Sequence, residues 1–146
     1  MPTASRLLGA AILGVTLYLT SVVFLQTYRP GLSLTYFDIG AVVMGFWGGW
    51  VVLGKRVGKG LSKSMGSGLL AAFSASFWGL FLFAIVSMFR RTQTFRFSDV
   101  EAAFFYLVDQ FILYGKIIFG TESVLILALG GIVTGLAAEL MKKIWD

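Results

Sequence analysis

The densest chemistry in this chain lies in one short stretch, where Arg90, Arg91 and Arg96 are followed by Asp99, Glu101 and Asp109. Guanidinium groups match oxyanions in a planar, bidentate way, so these arginines could bind an oxyanion or serve lipid phosphates at a membrane surface. A second cationic group, Lys55, Arg56, Lys59 and Lys63, is interleaved with Gly54, Gly58 and Gly60 and invites comparison with a phosphate-binding loop. The Walker pattern places four residues between its glycines and a Ser or Thr after the lysine. Here three residues separate Gly54 from Gly58, and Gly60 follows Lys59, so the comparison fails. The cluster reads instead as a lipid-phosphate contact or a topology signal. The chain has no cysteine and no histidine. That removes disulfides, thiol redox chemistry, thiolate or imidazole metal sites, and every mechanism built on a histidine base. No catalytic residue, metal site or cofactor is expected, and the chain reads as non-enzymatic.

The elements that hold these groups follow from composition. Of 146 residues, 58% are apolar and 13% charged, whereas a soluble domain carries about 25% charged residues. This arithmetic is that of a membrane protein. Nucleic-acid binding would need the cations on one continuous face, and here they form short clusters between uncharged runs.

Leu7 to Tyr28 is uncharged over 22 residues, about 33 Å of helix, enough for one span. A cleaved signal peptide is the rival reading, but Val22, Val23 and Phe24 continue the apolar run where small residues would mark cleavage. A second span is expected over 36–54, with a Gly45/Gly49 step for close helix approach and Trp47 and Trp50 beside it. A third, over 65–89, sets Gly68, Ala72, Ala75, Ser76 and Gly79 along one stripe and Phe73, Phe77 and Phe81 along another. The small stripe should face the bundle, the phenylalanines should largely face lipid, and Trp78 should be a packing residue. The last span, over 121–141, carries a second glycine step at Gly131 and Gly135.

Between the third and fourth spans, Ser98 to Glu101 reads as a capping box starting a helix at Asp99. Over 99–118 the pattern is amphipathic, with Asp99, Tyr106, Asp109, Gln110 and Lys116 gathered on one face. Spanning would bury Asp109 at a cost of about 2.5–3.5 kcal/mol on the insertion scale, so an interfacial or re-entrant helix is expected. The fold class is therefore an all-α integral membrane protein: one domain over 1–146, a bundle of four transmembrane helices plus one amphipathic interfacial helix. Four spans with the N-terminus inside place seven cations on the cytoplasmic side and five outside. A fifth span would erase that bias, so both termini are expected to be cytoplasmic.

Several short stretches resemble the TrgA family of small bacterial inner-membrane proteins associated with tellurite resistance. They are Met1-Pro2-Thr3-Ala4, Gly49-Trp50-Val51 leading into Gly54 to Gly60, Phe77-Trp78-Gly79-Leu80-Phe81, Tyr114-Gly115, and Gly130-Gly131 through Gly135 to Glu139. Asp38-Ile39-Gly40 stands where the family pattern carries an asparagine. The resemblance implies an inner-membrane protein linked to tellurite, oxyanion or envelope stress, and supplies no mechanism. A small oligomeric exporter is the alternative, weakened because the uncharged runs hold no ionisable group for proton coupling. The expected partners are the lipid bilayer and either a second copy or another membrane protein, with no nucleic acid.

Overall fold

In an apolar medium every backbone N–H and C=O must be paired within its own segment, which drives long uncharged runs into helices. A computed structural model describes residues 3–28, 35–53, 60–94 and 99–145. It contains α1 (Thr3–Tyr28), α2 (Thr35–Gly48), a π-helical turn continuing α2 (Gly49–Leu53), α3 (Leu61–Thr94), α4 (Val100–Ile118) and α5 (Thr121–Trp145). Three of these helices, α1, α3 and α5, contain segments long and apolar enough to cross a membrane. The apolar segment Phe37–Leu53 is shorter.

Four elements close a ring in the order α1, α2, α3, α5, with α1 and α3 on a diagonal and α4 packed outside, mainly on α3. Neighbours around the ring run antiparallel. Ser21 meets Asp38 and Ala10 meets Gly49 between α1 and α2; Gly48 meets Ala75 and Phe37 meets Phe83 between α2 and α3. Gly68 lies on Gly131, and Ser64 on Gly135, between α3 and α5; Gly9 meets Ala138, and Thr16 meets Gly130, between α1 and α5. The starts of α1 and α3 therefore share one end of the bundle with the end of α5. The end of α1 and the start of α2 share the other.

The glycine steps lie where backbones nearly touch. A Cβ on Gly45 would stand 2.6 Å from the Leu13 carbonyl oxygen, and one on Gly49 would stand 2.6 Å from Ala10 Cα. A Cβ on Gly68 would collide with the Gly131 carbonyl, and one on Gly135 with the Ser64 carbonyl. Without a side chain in the way, the helices gain dispersion contacts along their whole facing surfaces. The π turn adds a residue per turn and shifts the helical register. Leu53 is fully buried over Gly9, while Trp50 stays exposed.

Several expectations are corrected. The helix that follows α3 starts at Val100, with Asp99 as an extended N-cap (φ −145°, ψ 157°) that makes no side-chain capping bond. Ser98 lies outside the described residues. The phenylalanine stripe of α3 faces α4 in part: Phe77 and Phe81 meet Phe111 edge-on, and Phe73 stacks with Phe119. Trp78 is 48% exposed and packs edge-on against Phe77 and Phe81 of its own helix. Helix α4 occupies α3's outer side beside Phe77 and Phe81, which remain 48% and 36% exposed, and Trp78 lies on the adjoining surface.

Substitution at Gly135 should therefore separate from substitution at Gly66, which lies in the same bundle but where an added Cβ would meet nothing within 4 Å. Gly135→Ala should lower the melting temperature in detergent. Gly66→Ala should raise it slightly, because alanine is favoured over glycine in a helix by about 1 kcal/mol. Equal melting of the two variants would contradict the close contact.

Candidate functional site

The outer polar segment anticipated from sequence is brought together only in part. Arg90 and Arg91 lie in the last turns of α3, where only the backbone is described, and Arg96 lies outside the described residues, as do Lys55, Arg56 and Lys59. Asp99, Glu101 and Asp109 are exposed on α4, and Lys63 is exposed in the first turn of α3. The polar face of α4 is divided: Tyr106 and Gln110 are half-buried, while the exposed side mixes Glu101, Asp109 and Lys116 with Phe104, Phe105 and Ile112. On the opposite side Tyr114 and Ile118 are buried in the bundle.

Tyr114 is the anchor. Its ring meets Phe24 of α1 edge-on at 5.7 Å and Phe83 of α3 at 5.2 Å. Its hydroxyl lies 3.3 Å from Ser87 Oγ, a polar end satisfied at the edge of an aromatic cluster. Only Phe119 and Gly120 separate α4 from α5, yet these two helices barely touch. Helix α4 therefore turns away from α5 and is held by α3 and α1.

In the sequence, Glu139 simply follows the last apolar run. In the structure it is 4% exposed, inside α5. Ser64 Oγ donates to Glu139 Oε2 at 2.6 Å, and the Gly60 N–H donates to Oε1 at 3.3 Å. Gly60 is the N-cap of α3: its carbonyl accepts from Ser64 N at 2.9 Å, and its φ of +102° is a conformation that glycine adopts without strain. The first turn of α3 has no acidic residue of its own. Glu139 supplies the missing acceptor from another helix, where the unpaired amides and positive dipole end favour a carboxylate. A buried carboxylate without such partners would be costly.

At the opposite end, Ser21 Oγ lies 2.6 Å from Asp38 Oδ1, joining α1 to the first turn of α2. Beside this pair a cavity of about 330 Å³ opens between α1, α2 and α3, lined almost wholly by apolar groups. Among the described residues no group of three or more Asp or Glu side chains could hold a metal ion. No protein-family model, curated protein or solved structure matches the chain.

The Glu139 contact predicts a graded stability series. Glu139→Ala should destabilise the bundle by about 1.5–3 kcal/mol, the range for a hydrogen bond to a charged group. Glu139→Gln, which keeps an acceptor oxygen for Ser64, should lose less. Detergent unfolding curves measure both, and equal losses would show that the carboxamide cannot replace the acceptor.

Proposed function

We propose that the chain is a bacterial inner-membrane protein of four spans, with α4 as an interfacial or re-entrant helix, acting without catalysis of its own in tolerance to tellurite or related envelope stress. The observation that carries this reading is the division of α4. Tyr114 and Ile118 are tied into the bundle, while Glu101, Asp109 and Lys116 stand exposed among Phe104, Phe105 and Ile112. Such a surface can rest aromatic groups at the headgroup level while offering charges to a partner. The sequence resemblance supplies the link to tellurite.

Charge distribution supports the orientation. Arg6, Lys63, Lys142 and Lys143 belong to the bundle end that holds the starts of α1 and α3 and the end of α5. Cations concentrate on the cytoplasmic side of membrane proteins, so that end is assigned inward and α4 outward.

A small oligomeric exporter is the second reading, and one observation favours it. Glu139 is a buried ionisable group within a helix long enough to span, a feature that often marks an ion or substrate path.

The two readings separate in a deletion strain complemented by variants at matched membrane abundance. On the first, Asp109→Ala and the double change Arg90→Ala with Arg91→Ala should each lower tellurite tolerance, while Glu139→Gln and the lipid-facing Leu129→Ala should preserve it. Loss of tolerance with Glu139→Gln alone would favour export. Reporter fusions after Lys63 and Asp146 should both read cytoplasmic; a periplasmic C-terminal fusion would make α4 a span.

A further inference from the structure

The bundle end that holds the starts of α1 and α3 and the end of α5 gathers hydrogen-bond donors that the bundle itself does not use. The buried carboxylate there, Glu139, is turned to α3, where Ser64 and Gly60 donate to it. The donors of α1 are left without it. Arg6 stands one turn before Ala10, on the stripe that continues through Leu13 and Leu17, all three buried. Its stem therefore runs into the bundle, and its Nε is enclosed there without a hydrogen-bond partner. Beside it Ser5 is only 7% exposed, and its hydroxyl makes no hydrogen bond among the described residues.

The contact between α1 and α5 brings a third donor to the same level. A Cβ on Gly9 would stand 3.5 Å from Ala138 Cβ. Because the two helices run antiparallel, Ser5, one turn before Gly9, is level with Lys142, one turn beyond Ala138. Lys142 is half-buried and makes no ion pair among the described residues. Leu53 also packs on Gly9, and the next cations after it in the chain are Lys55 and Arg56.

A guanidinium, an ammonium and a hydroxyl that share no acceptor define the chemistry of what they bind. A nearly buried hydroxyl left unpaired is costly, and an acceptor that reaches it removes the cost. Enclosure of Nε holds the Arg6 guanidinium in place, and its two Nη groups remain to donate as a fork. A phosphate offers oxygens in several directions at once, matches that fork in bidentate geometry and carries the charge that two cations favour.

We infer that Ser5, Arg6 and Lys142 form a binding site for a phosphate group, of the kind carried by a lipid headgroup or by free inorganic phosphate. Arg6 supplies the fork, Lys142 the second charge and Ser5 a neutral hydrogen bond. The bound group ties α1 to α5 at the end where Glu139 ties α5 to α3.

The full chain purified in detergent tests this in two arms. Native mass spectrometry with equal amounts of phosphatidylglycerol and of diacylglycerol, which has the same tails and no phosphate, reads the lipid source. Melting in inorganic phosphate against chloride at equal ionic strength reads the free source. The wild type should retain phosphatidylglycerol about tenfold better than diacylglycerol, or melt higher in phosphate, the scale being that of one charge-assisted hydrogen bond. The first result alone assigns the headgroup, and the second alone assigns the free anion. Arg6→Gln should remove the effect, and Ser5→Ala should weaken it. Arg6→Lys keeps the charge, and with it the topology signal, but lacks the fork; it should lose most of the effect and decides if Arg6→Gln fails to insert. Lys143→Gln, which removes an equal charge from an exposed position nearby, should keep the binding. Absence of both effects in the wild type, undiminished binding in the inserted Arg6 variants, or an equal loss with Lys143→Gln would overturn the assignment.

Discussion

Close approach of helix backbones is the constraint on which the other features depend. Helix α5 lies against α3 through Gly68, Gly131 and Gly135 and against α1 through Gly9 and Gly130. In lipid, apolar side chains gain nothing by leaving hydrocarbon for hydrocarbon, so helix association rests on packing and interhelical hydrogen bonds. Small residues make that packing available. The α3–α5 contact also sets the register that brings Glu139 level with Gly60 and Ser64. A shift of one turn, about 5.4 Å, would strand the carboxylate.

The same ring explains its own opening. Close contacts hold α1 to α2 and α3 to α5, whereas α2 and α3 are joined near Gly48 and again where Phe37 meets Phe83, with the cavity between these two contacts. Helix α4 then takes the outer side of α3, with Tyr114 between Phe24 and Phe83 and with Ile118 in the cavity lining. The bundle is thus tied at one end by Glu139 and at the other by the Ser21–Asp38 pair and the Tyr114 cluster.

Much of this was legible in particular residues. The uncharged runs located the three long helices, and the glycine steps at Gly45/Gly49 and Gly131/Gly135 fall where the backbones meet. Local pattern could not reveal what depends on distant partners. Nothing in the sequence around Glu139 marks its acceptor role, because its partner Ser64 is 75 residues away on α3. Phe77 and Phe81 stay exposed, as a lipid-facing stripe would be, but nothing in α3 reports that Phe111 of α4 meets them edge-on. The π turn at Gly49–Leu53 left no local signature, since glycine beside bulky apolar residues is equally compatible with α-helix. Among the charged candidates, Asp99, Glu101 and Asp109 lie at the start of α4 or on it, apart from the three long apolar helices, and Tyr106 and Gln110 of the expected polar face are half-buried.

Helix α5 is seated antiparallel against its neighbours, and a paired-cysteine cross-link between α1 and α5 tests this most directly. The chain has no cysteine of its own, so the background is clean. A Cβ at Gly9 would lie 3.5 Å from Ala138 Cβ, within the usual disulfide range of about 3.5–4.5 Å. The nearest obstacle is the flexible end of Leu53. Gly9→Cys combined with Ala138→Cys, oxidised mildly in native membranes, should form an intramolecular disulfide in nearly every molecule, while Gly9→Cys with Leu129→Cys should form none. Absence of the first cross-link in protein that is correctly inserted, or equal yields from the two pairs, would contradict this arrangement of the bundle.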